Sequence, residues 1–187
     1  MVLPEVRNMG IIAAYMVPHP PLIVPAVGRG GEKDIVETTR AYERVAEHIA
    51  EIAPDTIIIT SPHSVMYADY FHISPGTGSA GDFARFRAPQ VSFDVDYDTE
   101  FVSRLTELLK QNKFPAGTQG EREKELDHGT MVPLYFIRKH YKAGKIIRVH
   151  AVRPVSPTPS CAVCVISRRS RATVRLISRL PSMPWRR

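Results

Sequence analysis

Apolar positions change their period several times along the chain, and each change marks an element. Residues 11–16 (IIAAYM) are a continuous apolar run, the pattern of a strand buried on both faces of a parallel sheet. A Pro- and Gly-rich loop follows over 17–31. Over 32–53 the spacing becomes helical: Ile35, Tyr42, Val45, Ile49 and Ile52 form one stripe, while Glu37, Arg40, Arg44, Glu47 and Glu51 face water. Pro54 stops that helix. Residues 56–60 (TIIIT) are β-branched throughout and predict a second buried strand. Strand, helix and strand in this order make a βαβ unit, with a right-handed crossover and parallel strands.

Further on, a strand is expected over 70–74, an irregular stretch over 75–89, and an alternating strand over 91–96 (VSFDVD). Asp98 or Thr99 caps a helix that reaches about Asn112, with Phe101, Leu105, Leu108 and Leu109 inward. A charged loop covers 117–127. A third helix starts near Gly129, with Pro133 tolerated in its first turn. Residues 145–149 (KIIRV) begin another strand. The pattern predicts a single α/β domain with a central, mostly parallel sheet flanked by helices, incomplete at its C-terminal end. Missing strands would leave a sheet edge unpaired. Poor solubility, or reliance on a second copy or a partner domain, is the expected result.

Charge divides the chain in two. Overall it carries 25 Lys and Arg against 19 Asp and Glu in 187 residues. All 19 acidic residues lie at or before Asp127, so residues 1–148, with 17 basic residues, have a net charge of −2. Residues 149–187 hold eight Arg and no acid, for +8. The basic balance is therefore a property of the tail, and neither nucleic acid nor a membrane is an expected partner of the body. Two readings of the tail stay open: a disordered basic arm for phosphate or lipid head groups, or a change of reading frame near Arg148. The body is expected to span 9–148, and 149–187 to be an anomalous Arg/Ser/Pro-rich tail, disordered or out of frame. Two Cys make no disulfide framework, and no apolar run approaches the roughly 20 residues of a spanning helix. A cytoplasmic location is the expectation.

Candidate chemistry lies in the histidines that follow strands. His19 sits just past the first strand, in Val17-Pro18-His19-Pro20-Pro21, and His63 just past the second, in Ser61-Pro62-His63-Ser64. Ligands of open α/β sheets bind beyond the carboxyl ends of the strands. If the two strands are neighbours, about 4.8 Å apart, two imidazoles can share one ion. The flanking prolines restrict the backbone that holds them, and neutral imidazole suits zinc, iron, copper or nickel. The other reading is two loop histidines that cap turns. His128, in Asp127-His128-Gly129, stands at a predicted helix N-terminus, where the dipole disfavours imidazolium. It can orient a substrate oxygen or dioxygen, or merely cap the helix, for which Asp127 is the better residue. His48, His72, His140 and His150 receive no role. Gly76–Gly81 matches G-x-G-x-x-G without a preceding strand or an opening helix, so no nucleotide is expected. Cys161 and Cys164 form a lone C-x-x-C pair and are taken as incidental.

Taken together, GIIAAYMVPHPPLIVPA, DTIIITSPHSVMYADYFHISPG, GDFARFRAP and LDHGTMVPLYF resemble the class III, LigB-type extradiol ring-cleavage dioxygenases. The match looks best to their Memo-like branch, the LigB-like domain of AmmeMemoRadiSam system proteins. The resemblance covers about residues 9–148. It implies a non-haem Fe(II) held by two His and one Glu, with O₂ as co-substrate and a catechol-type ring as substrate. His19 and His63 match the two metal ligands, and His128 matches a catalytic His that contacts substrate or O₂. Zinc is an alternative ion. The Glu ligand and a further acid/base His belong later in the chain, where no matching segment and no acidic residue follow Arg148. The chain as written is therefore expected to lack turnover. The alternative is a non-catalytic Memo-like module that binds metal or a partner. A basic-tailed protein that binds through its arm is a third possibility, ranked behind both.

Overall fold

The computed structural model describes residues 10–63, 67 and 69–150, together with the backbone of 162–167. Its order begins with β1 (Ile11–Val17), a 3-10 turn over Pro21–Ile23, a short helix α1 (Pro25–Gly28) and a 3-10 turn over Gly31–Ile35. Then come α2 (Val36–Ile52), β2 (Thr56–Ser61), β3 (Phe71–Ile73), β4 (Gly78–Phe83) and β5 (Ala88–Asp96). The remainder is α3 (Thr99–Gln111), β6 (Ala116–Gly117), α4 (His128–His140), β7 (Lys145–His150) and β8 (Ala162–Ser167).

An α/β domain with a central sheet between helices is what the apolar pattern predicts, and it is what forms. Six strands make the sheet in the order β1-β8-β2-β7-β3-β6. β2 and β7 pair in parallel, as do β3 and β6, and β1 runs in the same direction as β2 and β7. β1 and β2 are not neighbours, because β8 lies between them and is antiparallel to both. β7 is also antiparallel to β3.

β1 is a sheet edge rather than a strand buried on both faces. Ile11 is 69% exposed and Met16 74%. An apolar run marks a strand but cannot tell a central position from an edge. The stretch expected to be irregular over 75–89 contains β4, which forms a hairpin with β5. Gly78, Ser79, Ala80 and Gly81 conceal its alternation, because small residues carry little contrast between faces. The G-x-G-x-x-G residues thus belong largely to a strand and open no helix.

Two layers of helix cover the sheet. On one face α2 buries Tyr42, Ala46 and Ile49 against Ile57, Ile59 and Ile146, with Phe136 and Ile137 of α4. Tyr42 and Phe136 stack at 4.4 Å between ring centroids. On the other face α3 packs Phe101, Leu105 and Leu109 on Ile73 and Ile147. Asp98 caps α3 by accepting from the Phe101 N–H at 3.2 Å and from Thr56 Oγ1 at 2.6 Å. Pro133 lies deeper in α4 than the expected first turn. Residues 162–167, within the stretch of changed composition, supply β8. Cys161 falls outside the described residues.

Candidate metal centre

The site is built where β1, β2 and α4 end or begin beside one another. After β1 the chain turns through Pro18 and Pro20. Ile23 and Val24, both fully buried, anchor the loop that follows. Tyr42 of α2 donates its hydroxyl to the Pro18 carbonyl, which fixes the start of that loop to the helix layer. His19 is thereby held 6% exposed. A bond between its ring and the Val17 backbone further limits its rotation. Metal-binding imidazoles ordinarily use their second nitrogen in this way.

His63 follows β2 and is solvent-exposed. Its Nε2 lies 2.5 Å from His19 Nε2, and the two rings are edge-to-face with centroids 4.6 Å apart. Both nitrogens therefore point at one spot, although β8 separates their parent strands. The loops beyond the strand ends bridge a gap that the spacing of adjacent strands does not require.

His128, the first residue of α4, completes the group. Its ring centroid lies 3.9 Å from that of His63 and 5.7 Å from that of His19. One ring nitrogen from each of the three residues lies within 4.8 Å of the others. Burial, and then the neighbouring His63, pushes His128 down to about 4, with His19 acting in the same direction and Asp127 opposing. His19 is lowered too, by burial and then His63, against the pull of Asp127. His128 is thus an uncharged donor at neutral pH, the state in which imidazole binds a metal or a substrate proton.

Asp127 does two jobs that the sequence foreshadowed only in part. As expected, it caps α4, accepting from the Thr130 N–H at 3.2 Å and from Thr130 Oγ1 at 3.0 Å. It also accepts a hydrogen bond from Ser61 Oγ, the last residue of β2. That bond ties the His63 strand to the His128 helix. The Asp-His-Gly order has a steric reason as well. A Cβ on Gly129 would lie 3.1 Å from His63 Cδ2 and would collide with Ser61 Oγ. Phe86, from the 3-10 turn joining β4 to β5, places its ring edge-on at 5.4 Å from His128. Ser61 and Phe86 stand in quoted motifs, but nothing in their local spacing shows that they meet α4.

Three converging imidazoles form a donor set that fits a borderline divalent ion such as zinc or iron. Among the described residues no carboxylate belongs to this group, so the donors fit a metal without matching the two-His, one-Glu set. A second group, His72, Glu121 and His150, also brings its donor atoms within 4.8 Å of one another. The strand and tail positions of these histidines gave no sign of it.

Comparison with known proteins agrees with the motifs. Residues 13–162 match the family described as the catalytic LigB subunit of aromatic ring-opening dioxygenase. Protein CA_C1420 of Clostridium acetobutylicum is 43% identical over an alignment of 148 residues that covers 75% of this chain and 32% of that protein. The chain thus spans about a third of that relative's length. With most of its length matched, and with the paired histidines beyond β1 and β2 converging on one point, the chain belongs to the LigB family of aromatic ring-opening dioxygenase subunits.

Proposed function

We propose that this chain carries the metal- and substrate-binding part of an extradiol-type dioxygenase site, with His19 and His63 as metal ligands and His128 as the catalytic histidine. The convergence of the three rings is the observation that supports this most directly. A non-haem Fe(II) bound there would bring a catechol-type substrate and O₂ together and allow electrons to pass between them; zinc fits the same donors. His19, buried and held by the Val17 backbone, presets one ligand direction. His63 is the solvent-facing ligand and leaves a side open for substrate. His128 offers an unprotonated ring nitrogen to a substrate hydroxyl, and Phe86 gives an aromatic ring an apolar neighbour. The Memo-like branch remains the reading of the His-Pro-Pro, Ser-Pro-His-Ser and Asp-His-Gly motifs taken together.

Turnover is a separate matter. The absence of any acid after Asp127 in the sequence supports a chain that binds metal without completing ring cleavage. The change in composition after Arg148 supports an altered reading frame as the cause. Translating the gene in its other two frames beyond that codon tests this, and the idea fails if neither resumes an α/β pattern. The three-His set favours one second reading, a Memo-like module that binds metal without catalysis.

Anaerobic loading with Fe(II), followed by catechol and O₂, tests the assignment. Iron should be retained by the 187-residue chain and lost from this centre in H19A and H63A, with no yellow ring-fission product. Retention that is unchanged in both variants would overturn the ligand assignment. Stoichiometric iron together with ring cleavage would overturn the claim that the chain is incomplete.

A further inference from the structure

We propose that His72, Glu121 and His150 form a second cation site, for a divalent d-block ion of the zinc type, separate from the His19/His63/His128 centre. β3 and β7 place His72 and His150 directly opposite each other. Their rings meet edge-to-face with centroids 4.7 Å apart. Glu121 reaches the same point from the loop before α4. The three donor atoms lie within 4.8 Å of one another. A tetrahedral ion with ligands about 2.0–2.2 Å away needs them roughly 3.3–3.6 Å apart, so a modest contraction suffices.

The decisive residue is His72. It is 1% exposed, yet among the described residues neither ring nitrogen has a hydrogen-bond partner. Leaving a buried polar group unmatched forfeits its hydration with nothing in return, and native proteins rarely do so without a reason. A metal ion satisfies such a nitrogen directly. Burial, and then the nearby Arg148, lowers the basicity of His72, which keeps its lone pair free. His150 already makes the outer contact characteristic of a ligating imidazole: its Nε2 lies 3.0 Å from Ser74 Oγ.

Arg148 is the opposing charge. Its Nη2 lies 3.1 Å from Glu121 Oε1. The guanidinium does not depend on that carboxylate, however. It also donates to Ser74 Oγ at 2.8 Å and to the carbonyls of Glu123 and Glu125 at 2.6 and 2.5 Å. The other oxygen of Glu121 then serves as ligand, and the nearby positive charge makes the site weaker than a bare His₂Glu set. An anion in the same place would face the Glu121 carboxylate, so a cation is the better occupant.

Co(II) is a suitable probe, because a four-coordinate N/O site gives it visible d–d absorption. The full chain carrying both H19A and H63A, freed of metal, should bind one Co(II) with such a band. E121Q in that background should weaken binding more than about tenfold, the least that even the loss of an outer-shell contact costs. H72Q should abolish the band. Glu121 is only partly buried and its variant keeps the side-chain size, so E121Q alone decides if H72Q unfolds by far-UV circular dichroism. No band in the H19A/H63A chain would overturn the second site, as would a band that E121Q leaves unchanged.

Discussion

At the scale of single residues, the histidines set the acid side of the stability curve. An unfolded chain protonates His128 near its ordinary 6.5, whereas the folded chain resists until about 4. Between those values the unfolded state binds more protons, so stability is complete above pH 6.5 and falls as the pH drops toward 4. His19 and His72 are shifted in the same direction, chiefly by burial, and add to the slope. The urea midpoint of the metal-free chain should therefore fall between pH 7 and pH 4, and H128Q should flatten part of that fall. An equal slope with and without the imidazole would contradict the burial of His128. At this scale the sequence was informative. Prolines around His19 and before His63, and an Asp ahead of His128, marked the three residues that meet. Glu121 gave no such mark, since one acid among several in a charged loop carries no signal of its own.

At the scale of elements, capping decides where the helices begin. Asp98 is fully buried, caps α3 and accepts from Thr56 of β2. D98A should remove the cap and leave a buried hydroxyl unmatched, a loss of about 2–3 kcal/mol by chemical denaturation. D98N should retain much of the cap. Both α2 and α3 were legible because each has one apolar stripe and a polar opposite face. The β4–β5 hairpin was not, because its first strand consists largely of Gly, Ser and Ala. That hairpin matters to the site, since its turn carries Phe86 to His128. α4 was legible at its start and less so in its interior. Pro133 is tolerated there among residues so thoroughly buried that packing outweighs the lost backbone bond.

For the whole molecule, the informative difference is the strand order. Local pattern left open whether β1 and β2 lie side by side, and nothing local could show a strand from beyond residue 160 inserted between them. Pairing partners far apart in sequence are set by the completed sheet, not by the periodicity of either strand. The position of β8 predicts that a chain cut after His150 will lose the His19/His63 centre, although both histidines remain. Fe(II) retention by that shortened chain, compared with the full one, measures this; equal retention would show that the loops alone hold the two rings together.

The insertion of β8 also gives the centre a schedule. The two ligand loops are made early in synthesis, but the strand that spaces their parents is made late. Until then each imidazole is an isolated weak donor on an unfinished sheet. A ribosome must therefore deliver the chain through Ser167 before the two rings are spaced as the sheet spaces them, and an ion captured at the proposed His19/His63 centre would follow the synthesis of β8 rather than that of the loops.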